Sequence, residues 1–449
     1  MCSGARACEA CCPERTLRLS EANEAGRGGV LPRQSLKELL AGEVIGSQWT
    51  FQDSQLQPAS LDLRLGERGY RIRSSFLPDA RKSITDKLPD FAMYDLDLRD
   101  PCILEPNATY LIELMETLRL PTGLRARANS RSSTGRVDVF TRVVVDGYSQ
   151  FDEIPPGYAG PLYLEVFSRA HLLKLERGMS LNQIRFFSGQ AVCSDDEIRA
   201  LHETTKLVFD EDGAPLRSPH VAEGLFLHVA LTNKDSDFVG FRVKTNTSSV
   251  LDLSRKNSYD PIGFWEPVFA ERNGRLILEP GGFYLLFSRE KVRIPPSFAA
   301  EMMAYEPSFG ELRAHYAGFF DPGFGYGQGG EIAGTRAVLE VRCHDVPFAL
   351  EAGQPICRLR FERLTSTPDA VYGSELGSAY QQQESALSKC FKPFPKRLID
   401  LLSQRRWRTE GVTEQLPLFV EHDERKKRTR RSGKPGARGN TTPQSRSVI

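Results

Sequence analysis

Residues 118–165 read LRLPTGLRARANSRSSTGRVDVFTRVVVDGYSQFDEIPPGYAGPLYLE, and the rest of the chain is organised around this stretch. Its centre is the hexapeptide RSSTGR, Arg131–Arg136, which holds two guanidinium groups, three hydroxyls and a glycine. Hydroxyl groups donate to phosphate oxygens, glycine lets the chain come close, and arginine supplies a planar fork of donors. The hexapeptide therefore predicts a phosphate-binding loop, although a polar turn between strands has a similar composition.

The hexapeptide is the first of three short motifs that occur in order. A Pro-Gly-aromatic-x-Gly turn follows at residues 156–160, and the next strand carries Leu-Glu at 164–165. The third motif is SAYQQQ at 378–383, with Ser-Lys at 388–389. Together with PASLDLRLG at 58–66, this ordered set resembles the deoxycytidine triphosphate (dCTP) deaminase family, whose fold is dUTPase-like. The length of the chain resembles the long, tandem form of that family.

The sequence also repeats itself. Ile103–Leu111, ILEPNATYL, recurs 174 residues later as Ile277–Leu285, ILEPGGFYL. Four further pairs of segments keep the same order: 118–121 with 292–295, 156–158 with 322–324, 164–166 with 339–341, and 175–186 with 350–361. Short strands separated by Gly, Pro and Asn turns indicate a β-barrel or sandwich. We therefore predict a mainly β protein with two tandem dUTPase-like β-barrel or sandwich domains and short helices.

The predicted domain organisation follows from these segments. Its parts are a disordered N-terminal extension (1–28), copy one with the RSSTGR motif (29–200), copy two (201–365), a C-terminal arm with a short helix (366–415) and a disordered basic tail (416–449). Residues 32–40 predict a short helix with Ser35 as its N-cap, and residues 394–409 predict an amphipathic helix.

Composition is that of an ordinary globular protein. The 449 residues are 40% hydrophobic and 26% charged, and their formal net charge is +1. Residues 425–449 carry nine Lys or Arg and no Asp or Glu, so subtracting nine from +1 leaves −8 for residues 1–424. No apolar run approaches the roughly 18 residues of a membrane span, and the N-terminus lacks the apolar core of a signal peptide. These features predict a cytoplasmic protein that has no membrane partner.

The cysteines and the basic tail predict no further site. Four of the nine cysteines lie in the first twelve residues, but the Cys8-x-x-Cys11 pair lacks the second pair or histidines of a zinc site. The basic run at 425–431 favours a solvated tail over a nucleic-acid contact.

Deamination of cytosine requires water at C4 and a group that moves protons. Zinc deaminases use an H-x-E and a P-C-x-x-C signature; the chain has no P-C-x-x-C, and its H-x-E lies in the tail at 422–424. A zinc-independent deaminase needs a carboxylate base, whose pKa burial in an apolar strand would raise. Glu165 is one candidate, because Tyr163 and Phe167 share its strand face, and Glu340 is its copy. The alternative is a solvated strand glutamate.

The resemblance implies roles for other residues. Ser132 and Arg136 would bind the triphosphate and help to hold the catalytic water. The other substrate-binding residues implied are Arg131 and Ser133 in the hexapeptide, Ala317 and Asp321 in the hairpin of copy two, and Tyr380, Gln383 and Lys389 in the arm.

Each active site of the family lies between neighbouring barrels, which leaves two arrangements. In one, copy one pairs with copy one of another chain and uses Glu165. In the other, copy two presents Asp321 and Glu340 to the hexapeptide of copy one, since copy two has YEPSFG at 305–310 in place of RSSTGR. Proximity in the sequence favours Glu165.

The predicted function is hydrolysis of dCTP to dUTP and ammonia, which supplies the precursor for thymidylate synthesis. One alternative is a dUTP diphosphatase of the same fold with Asp321 activating water, and another is a bifunctional enzyme that forms dUMP. A third is a non-catalytic nucleotide sensor. Magnesium would arrive with the triphosphate, without a protein cage or zinc. The resemblance also implies a homo-oligomer and dTTP as feedback inhibitor.

Overall fold

A computed structural model describes most of the chain. The described residues are 28–79, 81–231, 237–244, 249–271, 273–303, 312–313 (backbone only), 318–373, 380–381 and 385–413. Residues 1–27 of the predicted N-terminal extension, the basic tail, the Cys8–Cys11 pair, residues 305–310, Ala317 and Gln383 lie outside these ranges.

The first half of the chain forms two larger sheets. Its strands are β1 Gly29–Val30, β2 Ile45–Ser47, β3 Leu61–Leu63, β4 Leu65–Ile72, β5 Ala92–Asp97, β6 Cys102–Leu104, β7 Thr109–Arg119, β8 Leu124–Ser130, β9 Val139–Val144, β10 Glu153–Ile154, β11 Ala159–Ser168, β12 Leu172–Leu175 and β13 Asn182–Ser188. Its helices are α1 Arg33–Ala41, α2 Ile84–Phe91, the one-turn α3 Ser132–Gly135 and α4 Asp195–Thr205. One sheet has the order β5-β4-β7-β11-β9, and the other has β1-β13-β8-β10.

The second half repeats this arrangement. Its strands are β14 Val208–Phe209, β15 Leu225–His228, β16 Phe238–Val243, β17 Val250–Asp252, β18 Trp265–Phe269, β19 Arg275–Leu278, β20 Phe283–Val292, β21 Phe298–Met302, β22 Leu312–Arg313, β23 Phe319–Phe320, β24 Thr335–Cys343, β25 Phe348–Glu351 and β26 Pro355–Arg363. The orders β18-β16-β20-β24-β22 and β15-β26-β21-β23 match those of the first half. The prediction of two tandem, mainly β domains is confirmed.

The second half contributes structure to the first. Strand β17 of the second half pairs in parallel with β12 of the first, in register from Leu172↔Val250 to Lys174↔Asp252. The core of the first half accordingly includes Phe264 and Trp265 of the second half and Phe391 of the arm. Because the second half contributes to the core of the first, loops of the second half come to lie beside the hexapeptide of the first.

Among the described residues, those up to Asp400 form one compact unit and those from Leu401 form another. Helix α5, Lys396–Thr413, begins in the first unit and contains most of the predicted 394–409 segment.

The predicted cap of α1 was wrong: Pro32 occupies the N-cap position in an extended conformation, and Ser35 lies inside the helix. Proline presets φ at the start of a helix without needing a hydrogen-bond partner for its nitrogen, so the helix begins earlier than Ser35 would set it. No helix in the described part of the chain is long and apolar enough to cross a membrane.

His171, between β11 and β12, makes the stability of the protein depend on pH. Its side chain is completely buried, its ring lies edge-on to Phe264 at 5.4 Å, and neither ring nitrogen has a hydrogen-bond partner among the described residues. Burial lowers the pKa of His171 from 6.5 to about 4. Between these values the unfolded chain binds the extra proton, so stability falls as pH falls, by up to about 3 kcal/mol.

We expect His171→Phe to remove this loss, which chemical denaturation at pH 7 and pH 4.5 would measure in both proteins. Burial of Asp62 raises its pKa to about 6 and so acts in the opposite direction, with stability lost as pH rises through that range. Since Asp62 is present in both proteins, the difference between them reports His171. Parallel losses in wild type and variant would contradict the assignment.

Candidate active site

A cavity of about 350 Å³ lies where the two halves and the arm meet. Its walls combine side chains that are more than 250 residues apart in the sequence. The lining residues that matter for chemistry are Arg131, Ser132, Ser133 and Arg136 from the hexapeptide, Asp321 and Glu340 from the second half, Tyr380 and Lys389 from the arm, and Gln55, Asp62, Arg64 and Lys256 from loops and strands nearby.

The hexapeptide forms a single helical turn directly after β8. The backbone N–H groups of Thr134 and Gly135 donate to the carbonyl of Arg131, which fixes the turn. The Arg131 guanidinium forms an ion pair of 3.1 Å with Asp62 and donates to the carbonyl of Ser180. Arg131 is thereby held at the wall of the cavity, which Ser132 also lines.

Arg136 is held by the arm. Its guanidinium lies 3.8 Å from the centroid of the Tyr380 ring and donates to the carbonyl of Ala386. The hydroxyl of Ser388 donates to the carbonyl of Ser133 at 2.8 Å, so the arm closes over the hexapeptide from two sides. A buried guanidinium stacked on a ring is a stiff donor for a planar anion such as phosphate.

Glu340 is the strand glutamate that meets the hexapeptide within the chain. It lies on β24, only 2% exposed, and its carboxylate packs against Gly135. A Cβ atom at position 135 would lie 2.5 Å from Oε2 of Glu340, so the absence of a side chain at Gly135 allows this approach.

Glu165, the equivalent residue on β11, does not line the cavity. It pairs across the sheet with Arg142, and its carboxylate hydrogen bonds with the side chain of Ser75. Burial raises the pKa of Glu165, and Ser75 and Arg142 offset part of this rise. Phe76, in the loop before α2, packs on the apolar cluster around Tyr163 and covers this part of the first half.

The equivalent loop of the second half takes a different path. Instead of folding back over Glu340, it crosses to the first half as β17. The arrangement with Glu340 is therefore the one that forms inside a single chain. The sequence-based preference for Glu165 would require a second chain, which the structure does not test.

Asp321 follows β23 and is held by a buried arginine of the first half. Nη2 of Arg185 lies 3.3 Å from Oδ1 of Asp321, and Nη1 lies 3.0 Å from Oε2 of Glu362. Burial raises the pKa of Asp321, and the Arg185 guanidinium counteracts this. Next to it, the backbone N–H of Gly318 donates to Oδ1 of Asn129, which ties the hairpin to β8.

The cavity carries more positive than negative side chains. Among its described lining residues are five cations (Arg64, Arg131, Arg136, Lys256, Lys389) and three carboxylates (Asp62, Asp321, Glu340). Burial and the nearby charges of Arg131 and Lys256 lower the pKa of Lys389 to about 8. Such crowding of cations favours an anionic ligand, which would relieve their repulsion.

The structure brings together most of the predicted site residues. Eight line the cavity: Arg131, Ser132, Ser133, Arg136, Asp321, Glu340, Tyr380 and Lys389. Glu165 does not, and Ala317 and Gln383 lie outside the described residues. Sequence analysis missed Asp62, Arg185 and Lys256 as site residues. Asp62 stands in the PASLDLRLG segment, which was a usable signal, whereas nothing in the sequence marks Arg185 or Lys256.

A metal bound by the protein alone has no evident donor set here. Among the described residues, no group of three or more His, Cys, Asp or Glu side chains is close enough together to hold a metal ion. Two of the cavity carboxylates are instead paired with arginines, Asp62 with Arg131 and Asp321 with Arg185.

Comparisons with known proteins identify related families, sequences and structures. Residues 27–190 match the N-terminal domain, and residues 194–391 the C-terminal domain, of 2′-deoxycytidine 5′-triphosphate deaminase. The crystal structure of 2′-deoxycytidine 5′-triphosphate deaminase from Agrobacterium tumefaciens is 45% identical, covers 75% of this chain and 99% of its own, and has a TM-score of 0.70.

Curated relatives match over part of the chain. The "dCTP deaminase, dUMP-forming" of Nocardioides sp. is 30% identical over 156 residues, 34% of this chain and 77% of the relative. The "dCTP deaminase" of Halorubrum lacusprofundi is 31% identical over 159 residues, 34% of this chain and 72% of the relative.

Fold and cavity together define a tandem dUTPase-like β-protein with a cationic site between its two halves. The chain belongs to the dCTP deaminase family.

Proposed function

We propose that this chain hydrolyses dCTP to dUTP and ammonia at the cavity between its two halves, with Glu340 as the base. The observation that carries the proposal is the packing of the Glu340 carboxylate against Gly135, inside the hexapeptide. Family membership supports dCTP as the substrate, since the relatives are named for it.

The triphosphate would lie on the hexapeptide. Ser132, Ser133 and the guanidinium of Arg136 would donate to phosphate oxygens, and Lys389 and Lys256 would add charge. Magnesium would enter with dCTP as part of the substrate, because phosphates and water satisfy its octahedral shell. The arm residue Tyr380 would keep Arg136 in place through the ring contact at 3.8 Å.

The cytosine ring would then lie towards Glu340. The carboxylate would accept one proton from water as the water oxygen adds to C4 and would deliver it to N3, and the second proton of the water would pass to the departing amine. The C4–N4 bond breaks, ammonia leaves, and the C4 carbonyl of uracil forms. Ser132 and Arg136 would hold the water, which converts a bimolecular encounter into an oriented one.

Zinc independence is part of the proposal. It is supported by the lack of a P-C-x-x-C segment in the sequence and by the position of the H-x-E at residues 422–424. Homo-oligomer formation, feedback by dTTP and cytoplasmic location stay predictions from the sequence.

A second activity, hydrolysis of the dUTP product to dUMP and pyrophosphate, is favoured by Asp321. This carboxylate lies in the same cavity as Glu340 and is held there by Arg185. A relative that shares the fold carries "dUMP-forming" in its name. In this reaction Asp321 would orient the water that attacks the α-phosphorus, and the α–β phosphate bond would break.

One assay separates these functions. The full chain is incubated with dCTP and magnesium, with and without a zinc-selective chelator, and ammonia and pyrophosphate are measured together. We expect ammonia at equal rates in both conditions. Release of pyrophosphate in an amount equal to that of ammonia would establish the second activity. Pyrophosphate from dUTP without ammonia from dCTP would indicate a diphosphatase, and binding without either product would indicate a nucleotide sensor.

A further inference from the structure

An ion pair joins the two halves beside the cavity. Nη2 of Arg342 on β24 donates to Oδ2 of Asp138, which follows the hexapeptide. Both side chains are buried, with 8% and 1% of their surface exposed. A buried pair of this kind holds two backbone segments in one arrangement, because removal of either partner leaves a charge without compensation.

The pair is next to both parts of the proposed site. Asp138 lies two residues after Arg136, and Arg342 lies two residues after Glu340 on the same face of β24. The second arm of the guanidinium, Nη1, donates to the carbonyl of Gly281. The Arg342 side chain therefore has little freedom to follow any movement of the hexapeptide.

The backbone at Asp138 has φ of +61°, in the left-handed region that favours glycine. Its N–H donates to the carbonyl of Gly135, and its own carbonyl accepts from the N–H of Arg169. Because the backbone is fixed in this way, the carboxylate of Asp138 has a defined direction towards β24.

The first half has no equivalent of this pair at Glu165. The residue two positions after Glu165 is Phe167, where β24 has Arg342 after Glu340. The two strand glutamates therefore differ in what lies beside them, although the Leu-Glu-Val sequence around them is the same.

We propose that the Asp138–Arg342 pair is a positioning clamp that sets Glu340 against the hexapeptide, an inference that rests on the proposed function. The clamp does not touch the substrate. The base on β24 belongs to the second half of the chain, and the water-holding groups, Ser132 and Arg136, belong to the first. The clamp fixes the distance between them. A small displacement of the base from the water-holding groups reduces the rate of the chemical step more than it reduces binding of the substrate.

The test uses Asp138→Asn, Arg342→Gln and the double variant. We expect each single variant to lower kcat for ammonia release about tenfold or more, with a change in KM of less than about threefold. The acid limb of the profile of kcat against pH should move in opposite directions in the two single variants. Asp138→Asn leaves a cation near Glu340 and moves the limb to lower pH, whereas Arg342→Gln leaves an anion and moves it to higher pH. The neutral double variant should restore the limb and keep the low kcat.

Arg127→Gln is the matched control. Arg127 forms an ion pair of 2.7 Å with Glu301, which also joins the two halves, but it does not line the cavity. This variant should lower the melting temperature and leave the acid limb in place. If single clamp variants show wild-type kcat and an unmoved limb, or if Arg127→Gln moves the limb equally, the clamp is refuted. Wild type without ammonia release refutes the proposed function instead.

Discussion

Glu340→Gln should lower kcat for ammonia release from dCTP by about 10²–10⁴-fold, the range for loss of a positioned base. The amide keeps the shape of the side chain but cannot accept the proton of the attacking water. Since the carboxylate of Glu340 packs against Gly135 and the proposed triphosphate contacts are made by other side chains, binding of dCTP should change little. Steady-state kinetics would show a loss in kcat with KM nearly unchanged, and a binding measurement with the inactive variant would show nearly unchanged affinity for dCTP.

Glu165→Gln is the matched control for this variant. Glu165 occupies the same place in the Leu-Glu-Val segment of β11, is also buried, and lies outside the cavity beside Arg142 and Ser75. We expect wild-type kcat from this variant. The opposite result, with activity lost in Glu165→Gln and kept in Glu340→Gln, would indicate a site between copies of the first half from two chains.

Arg136→Lys should lower kcat/KM for dCTP by about a hundredfold or more. Lysine keeps the charge but loses the planar fork, and it also loses the stacking on Tyr380 that fixes its direction. Two charge-assisted hydrogen bonds to phosphate contribute about 3 kcal/mol or more together, which corresponds to this factor. KM should rise more in Arg136→Lys than in Glu340→Gln, because Arg136 binds the substrate in the ground state as well as in the transition state.

Arg142→Lys gives the comparison for Arg136→Lys. Arg142 is half-buried and, like Arg136, lies over aromatic rings, 4.1 Å from the centroid of Phe140 and 4.5 Å from that of Phe151, but it lies beside Glu165. Both variants should lose similar stability in thermal unfolding. Only Arg136→Lys should lose kcat/KM, and equal kinetics in the two variants would remove Arg136 from the proposed site.

The sequence was most informative where function depends on neighbouring residues. The turn after β8 is local, so RSSTGR by itself predicted a candidate phosphate-binding loop, and in the structure this segment forms a helical turn that lines the cavity. The repeat of 103–111 at 277–285 identified two domains of one fold, because equivalent strands have equivalent burial patterns. Likewise, the replacement of the hexapeptide by YEPSFG indicated that copy two lacks its own cradle.

Residues that act across the interface gave weaker signals. Lys256 stands in a loop without a motif, and it reaches the cavity only because β17 pairs with β12. Arg185 reads as an ordinary strand residue, yet it is completely buried against Asp321 and Glu362. Sequence periodicity shows which residues share a face of a strand, but it does not show which face of another domain lies opposite.

The choice between Glu165 and Glu340 shows what local sequence pattern determines and what tertiary structure determines. By itself, the sequence determined the fold, the repeat, the single intact hexapeptide and the two candidate glutamates, since each depends on local pattern. Only the tertiary structure decided which glutamate lies at the hexapeptide of the same chain. Identical Leu-Glu-Val segments are distinguished by the paths of distant loops, one folded back over Glu165 and one crossing to β12, and by how β24 packs on α3.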